Sequence, residues 1–310
     1  MPQLTLLVGP AGSGKSTLAK QLIANTPDIE GEAVYINQDS QGKEHLALYD
    51  DALLAGKSIV VDRMNFNKSQ RNRYLDLAKA RGYRTKIVVL HVPYYVCFER
   101  CMSRKDHQTI KDEVNARAAL ATFFSKYERV SDDEADVVER LGWEGYKPPA
   151  VICDLDGTLC DIRHRLHYVR RPEGEKKDWK GFFDEMNGDA VNQWCADILT
   201  AVSDEVAIVF CSGRPDNHRS ATVGWLKRNR MYELNEGNYG VPDSPYGDKF
   251  HLYMRPRGDQ RDDSIIKEII LDFEILTRFT PHFMIDDRKR VVDMWRSRGY
   301  TCLACAEGNF

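Results

Sequence analysis

Two aspartates one residue apart, Asp154 and Asp156, follow directly on the apolar run Val151-Ile152-Cys153 and precede Gly157-Thr158. Side chains two apart on an extended chain point the same way, so the pair faces one spot. One carboxylate can then attack or ligate a metal while the other handles protons. Three later chain positions match that chemistry. Ser212-Gly213-Arg214 ends a second apolar run, Asp263 and Lys267 stand four apart at the opening of a helical pattern, and Asp286-Asp287-Arg288 ends a third run. A hydroxyl and an arginine behind a glycine-permitted turn suit a phosphate pocket. Strand and helix ends thus bring Asp154/Asp156, Ser212, Asp263/Lys267 and Asp286/Asp287 toward one place, and the ordered set is far more specific than any one member.

A second constellation lies near the N-terminus. Gly9-Pro10-Ala11-Gly12-Ser13-Gly14-Lys15-Ser16 satisfies G-x-x-x-x-G-K-[ST], between a short apolar run and a helical pattern that begins at Thr17. Backbone N–H groups of Gly9, Gly12, Ser13 and Gly14 can surround phosphate oxygens, with Lys15 reaching the β- and γ-phosphates and Ser16 holding Mg²⁺. ATP is therefore the expected cofactor. Asp39, at the mouth of the next strand, is placed to accept a proton from an attacking hydroxyl. Asp62 could orient the metal or brace the loop, and Arg63 and Asn65 could touch an acceptor. Arg100 and Arg104, four apart on a helix and followed by Lys105-Asp106-His107, have the look of a lid offsetting charge on the triphosphate.

Strands and helices alternate along the chain, which predicts an α/β protein of two doubly wound parallel-sheet domains. Strands are expected at 4–8, 33–37, 58–61 and 86–92, then at 151–153, 205–211, 250–254 and 283–285. A helix is expected at 111–129, its buried stripe formed by Val114, Ala118, Ala121 and Phe124, with acidic 132–139 as a solvated helix face. Glycines and a double proline at 142–149 read as a linker, giving domains 1–145 and 149–310. Residues 161–188 read as a short charged insertion containing Arg163, His164, Arg165, Lys176, Lys177 and Trp179. Neither this insertion nor the segment from Arg214 to Asp263 leaves room for a large cap, so the second site is expected to open toward a polymer end.

With 42% hydrophobic and 29% charged residues the chain belongs to the globular class. Lys and Arg against Asp and Glu count 21 to 20 in residues 1–147 and 23 to 27 in 148–310, summing to −3. No basic tract suits non-specific binding of long duplexes, so nucleic-acid contact should be local. No apolar run approaches bilayer length and the N-terminus runs straight into a strand, so no membrane partner is expected and the cytoplasm is the expected compartment. Cys302 and Cys305 have C-x-x-C spacing without a second pair at zinc-like distance, so structural roles are expected for the cysteines.

D-x-D-G-T, S-G-R, a lysine and D-D in that order resemble phosphatases of the haloacid dehalogenase superfamily. The resemblance implies that Asp154 forms an aspartyl-phosphate, that Asp156 protonates the leaving oxygen and later activates water, and that Ser212 and Lys267 hold the phosphoryl oxygens. It also implies Mg²⁺ bound by Asp154, the Asp156 carbonyl and Asp286, with Asp287 nearby. Joined to a P-loop kinase half, this is similar to the bacteriophage polynucleotide kinase–phosphatase family, nearly end to end as far as Glu307-Gly308-Asn309-Phe310. That family resemblance assigns Lys15, Ser16, Asp39, Arg100 and Arg104 to a 5′-kinase site. It adds Arg165, Arg214 and Asp263 to a site removing 3′-phosphate or 2′,3′-cyclic phosphate from RNA or DNA ends. A homo-oligomer, a separate ligase alongside and the cytoplasm of a bacterial host for a phage-encoded chain are its further implications. One position departs: where the family has an arginine three residues after the base, this chain has Gly42, and Lys43 is the neighbouring charge. Two other readings compete with end healing. One is a fused small-metabolite kinase and phosphatase; the other is a nucleotide-sensing scaffold that binds ATP without transfer.

Overall fold

Leu4, Leu6, Leu7 and Val8 are fully buried because their strand, β1 (Gln3–Val8), runs through the middle of a parallel sheet. In the computed structural model, β1 pairs on one side with β3 (Ile59–Asp62), which pairs with β2 (Val34–Asn37), and on the other with β4 (Arg84–Leu90), which pairs with β5 (Val137–Leu141). The order is β2-β3-β1-β4-β5, every pair parallel, with helices Lys15–Asn25, His45–Leu54, Lys68–Ala80, Tyr94–Ser103 and Glu113–Lys126 in the crossovers. The order reverses at β1, the place where an open α/β sheet leaves a crevice beyond its strand ends. The structure describes residues 1–25, 27–28, 31–104, 110, 112–142, 146–172, 174–235 and 250–306. Two compact units divide the chain, Met1–Glu144 and Gly145–Phe310.

Two expectations for the first unit are corrected. The acidic stretch expected as a solvated helix face contains edge strand β5. Its Glu134 is buried because the carboxylate pairs bidentately with buried Arg71, at 2.6 Å from Nε and 2.9 Å from Nη2. The stripe of helix Glu113–Lys126 is formed by Ala116, Leu120, Phe123 and Phe124, while Val114 is 76% exposed. The helix starts from Asp112, whose carboxylate accepts from Asn115 N at 2.8 Å. Lys111 lies outside the described residues, as do 143–145 of the expected linker and the closing 307–310.

The second unit repeats the architecture with β6 (Pro149–Cys153), β7 (Ala207–Pro215), β8 (His251–Arg255), β9 (Thr280–Asp286) and β10 (Cys302–Ala304), in the order β8-β7-β6-β9-β10 and again all parallel. Alternation along β6 and β7 sends Val151, Cys153, Ile208 and Phe210 into one core and Ala150, Ile152, Ala207 and Val209 into the other. Helices Gln193–Val202 and Arg219–Arg228 line the first face; Asp263–Ile270 and Lys289–Ser297 line the second. β6 is central, so its C-terminal end presents Asp154 between the ends of β7 and β9. Strand β10 was not expected; it is three residues long, with Cys302 buried, and all eight cysteines are free. No helix among the described residues is long and apolar enough to cross a membrane.

Candidate active sites

Beyond β1 the glycine loop curls back on itself. Gly9 N donates to Met64 O at 3.2 Å, and Ser13 N to Pro10 O at 3.2 Å. Gly12 has φ +81°, and a Cβ there would lie 2.3 Å from the carbonyl oxygen of Cys97, so only glycine fits. Lys15 is buried and its ammonium donates to Pro10 O at 2.7 Å. Burial pulls its pKa below the usual lysine range; Asp62 works against that shift and Arg104 adds to it. A cavity of about 260 Å³ opens there, lined among others by Gly12, Gly14, Lys15, Ser16, Asp39, Asp62, Asn65 and Arg104. Gly9, Ser13 and Thr17 shape the loop and first turn without lining it.

Around this cavity the neighbouring strand ends supply polar groups. Asp39 is exposed, in the first turn of a short helix, Gln38–Gln41, capped by Asn37. Asp62 acts as a brace: its carboxylate accepts from Tyr35 Oη at 2.7 Å and Asn37 Nδ2 at 2.9 Å, tying β2 to β3. Burial and that bond push the Tyr35 hydroxyl up to about 12. Asn65 is buried at φ +46°, its Nδ2 donating to Leu7 O at 2.8 Å. Arg71 clamps its loop, reaching Asn65 O at 3.3 Å and Glu128 O at 3.1 Å.

The shared helical face expected for Arg100 and Arg104 is corrected. The helix ends at Ser103, Arg104 is extended (φ −80°, ψ 124°), and only Arg104 lines the cavity. Lys105, Asp106 and His107 lie outside the described residues. Gly42 closes the short helix at φ +56°, a conformation that costs an L side chain, which accounts for glycine in place of arginine; Lys43 is exposed and off the cavity lining.

In the second unit the strand ends converge. Lys267 Nζ lies 2.8 Å from Asp154 Oδ1 and 2.7 Å from Asp286 Oδ2, all three groups buried. Asp154, Asp286 and Asp287 offer ligand atoms within 4.8 Å of one another, and Asp287 Oδ1 is buried with no hydrogen-bond partner. Burial raises the Asp154 pKa, Lys267 pulls it back, and Asp286 and Asp287 push it up again. Burial and Asp286 push Asp287 up to about 7. One ammonium does not balance three buried carboxylates, so the residues fit a divalent cation.

Asp156 lines the same cleft as Asp154 but has different partners. Its Oδ1 accepts from Arg165 Nη2 at 2.6 Å and Arg214 Nε at 2.9 Å, and both guanidiniums also bind Asp189. Burial alone would raise the Asp156 pKa; Arg214 and Arg165 reverse that and hold it well below the usual carboxylate range. A second acidic group, Asp156, Cys160 and Asp189, is thus already neutralised by two arginines and leaves no unbalanced charge for a metal. Ser212 is fully buried, its Oγ accepting from Arg214 N at 3.2 Å. Asp263 is held by Arg255 and Arg288, which grip its two carboxylate oxygens.

The comparisons with known proteins follow this division. The model for the polynucleotide kinase PNKP phosphatase domain matches residues 148–310, more than half of the chain. The chain belongs to the PNKP phosphatase domain family. A model for the AAA domain matches residues 4–130, covering the glycine loop. A protein of Autographa californica nuclear polyhedrosis virus, provisionally named a bifunctional polynucleotide kinase/RNA ligase, is 25% identical over 325 residues, 95% of this chain and 41% of its own length. One of Acanthamoeba polyphaga mimivirus, provisionally named a bifunctional polynucleotide phosphatase/kinase, is 31% identical over 94 residues, 29% of this chain and 21% of its own. The chain therefore spans less than half the length of these curated relatives. A chain from the structure of the Pnkp1/Rnl/Hen1 RNA repair complex aligns over 100% of this chain and 97% of that one, at 23% identity and a TM-score of 0.40, too low a likeness to bear on substrate or partner.

Within the PNKP-family unit, a cleft of about 440 Å³ opens onto Asp154, Asp156, Asp263 and Lys267. Its lining carries Asp154, Asp156, Asp259, Asp262 and Asp263 against Arg255, Arg261, Lys267, Arg288 and Arg290, five charges of each sign. Sequence reasoning missed Asp189 and Arg255 and named Arg288 without a partner; Asp189 holds Arg165 and Arg214 in place, and Arg255 and Arg288 hold Asp263. Within the charged insertion, Trp179 begins a short helix, Trp179–Asp184, that also carries Phe182 and Phe183.

Proposed function

We propose that the chain heals nucleic-acid ends, transferring the ATP γ-phosphate to a 5′-OH in the first unit and removing a 3′-phosphate in the second. The supporting observation is the pairing, in one chain, of a glycine loop enclosing Lys15 with a buried Asp154–Lys267–Asp286 cluster in a PNKP-family phosphatase fold. The relatives' polynucleotide names favour this over a small-metabolite kinase and phosphatase.

In the kinase unit the loop amides and Lys15 would cradle the triphosphate, Asp39 would take the proton of the attacking 5′-hydroxyl, and Arg104 would offset charge on the transferring group. In the phosphatase unit Asp154 would attack phosphorus, with Lys267 orienting its carboxylate and holding a phosphoryl oxygen. Asp154, Asp286 and Asp287 would hold Mg²⁺, which supplies charge neutralisation and orientation at the phosphate. Asp156, ionised beside Arg165 and Arg214, is in the form that can accept a proton from the water that hydrolyses the aspartyl-phosphate, but the two guanidiniums make it a weak base, so taking that proton and giving one to the leaving oxygen both require them to loosen their hold.

The products, a 5′-phosphate and a 3′-hydroxyl, are the ends a ligase joins, so a ligase reaction is the proposed next step. The proposed setting is the cytoplasm, where ATP is plentiful. End-group analysis of a 5′-OH, 3′-phosphate RNA and of the same sequence in DNA, after incubation with ATP and Mg²⁺, tests this reading. Conversion of both termini of either polymer is expected; phosphorylation of free nucleosides but of neither polymer would reject it.

A further inference from the structure

The cleft that opens onto Asp154 is also lined by Trp179, Phe182 and Phe183, rings that the dephosphorylation chemistry does not use. Trp179 is 38% exposed. Phe183 stacks with it at 6.0 Å between centroids and 23° between planes, and His218 continues the row 5.1 Å from Phe183. Phe182 is buried under the Arg165 guanidinium, 4.1 Å from ring centre, and its carbonyl accepts from Arg165 Nη1 at 3.2 Å. The rings are thus fixed to the arginine that holds Asp156. Close packing holds the helix as well: Asp178 Oδ1 accepts from Gly181 N at 2.9 Å, and a Cβ on Gly181 would strike the Tyr168 ring.

Charges of opposite sign cancel around the cleft, so a polyanion gains little there from bulk electrostatics. Beyond the phosphate position the cleft offers ring surface, with Lys177 Nζ 5.7 Å from the Trp179 ring centre, and every nucleobase has a π face to match the rings. We infer that Trp179, backed by Phe183, is the platform on which the nucleobase of the 3′-terminal nucleotide stacks, so that the 3′ end enters unpaired and is held by its base as well as its phosphate. The inference rests on the reading of this unit as a polynucleotide 3′-phosphatase.

The test compares two 3′-phosphorylated single strands, identical except that one has an abasic terminal nucleotide. For the wild-type chain the abasic strand is expected to show a KM raised roughly 5- to 150-fold, the range for loss of one base–aromatic stack. kcat should stay within about twofold, because stacking binds ground and transition states alike. Trp179→Ala should raise KM of the base-bearing strand to the abasic value and leave the abasic strand unchanged, and Trp179→Phe should restore most of the difference. Equal KM values for the two strands in the wild-type chain would overturn the inference even if Trp179→Ala fails to fold. So would a Trp179→Ala loss of the same size on the abasic strand, which marks a merely structural tryptophan. Hydrolysis of p-nitrophenyl phosphate with release from neither strand would remove the polynucleotide reading itself, and the inference with it.

Discussion

Replacing Asp189 by asparagine preserves shape and removes one charge from a buried group of four. Its carboxylate is fully shielded from solvent and accepts from Arg165 Nε at 2.6 Å and Arg214 Nη2 at 2.9 Å, while Asp156 is the other carboxylate that both guanidiniums reach. Without it, two buried cations share one carboxylate. Breaking a buried pair in this way costs about 3–5 kcal/mol, because a charge is left uncompensated. For a unit of this size that is roughly 6–20 °C in melting temperature, at about 2–4 °C per kcal/mol. Arg165 and Arg214 would also lose the restraint that aims them at Asp156, so 3′-phosphate release should fall by about 10- to 100-fold, the usual effect of removing a supporting partner. Transfer to 5′-OH ends, which uses the other unit, should not change. Thermal melting followed by tryptophan fluorescence, with both activities assayed on one preparation well below the melting point, measures all three. An Asp189→Asn chain that melts like the wild type and dephosphorylates at its rate would refute the role given to this network.

Asp287 supplies a pH prediction. Its pKa is pushed up to about 7, against about 3.9 for an unfolded aspartate, so between about pH 4 and 7 the folded metal-free chain holds a proton that the unfolded chain has lost. Stability of the metal-free phosphatase unit should therefore fall as pH rises through that window. A divalent cation displaces the proton, so the melting shift on adding Mg²⁺ without ATP should be larger at pH 8 than at pH 5.5; equal shifts would contradict it. Gly12→Ala drives a Cβ into the Cys97 backbone at φ +81°, a strain of about 1–3 kcal/mol. Isothermal titration should show ATP affinity reduced by about 5- to 150-fold, with 3′-phosphate release intact.

Legibility followed sequence distance. The glycine loop, Asp154/Asp156 and Asp263/Lys267 are local patterns whose chemistry can be read from spacing, and Asp154, Lys267 and Asp286 do meet in one buried cluster. Arg71 and Glu134 are 63 residues apart and belong to no motif, so the acids around Glu134 looked solvated when the carboxylate was in fact a buried partner. Asp189 was invisible for the same reason, its two arginines lying 24 and 25 residues away on other elements. Trp179 stands out in the charged insertion, but its pairing with Phe183 depends on a short helix that spacing alone does not show. The stripe of helix Glu113–Lys126 was misplaced because alanines carry almost no directional signal; packing of Phe123 and Phe124 decides which face is buried.

Two phosphate-handling sites working independently in one chain are the core of this account. The most direct measurement is end-group analysis of a 5′-OH, 3′-phosphate oligonucleotide incubated with ATP, Mg²⁺ and either Lys15→Ala or Asp154→Asn, each checked for folding. The account predicts that Lys15→Ala yields a 3′-hydroxyl and leaves the 5′-OH, while Asp154→Asn yields a 5′-phosphate and leaves the 3′-phosphate. A folded variant of either kind that has lost both conversions would contradict it.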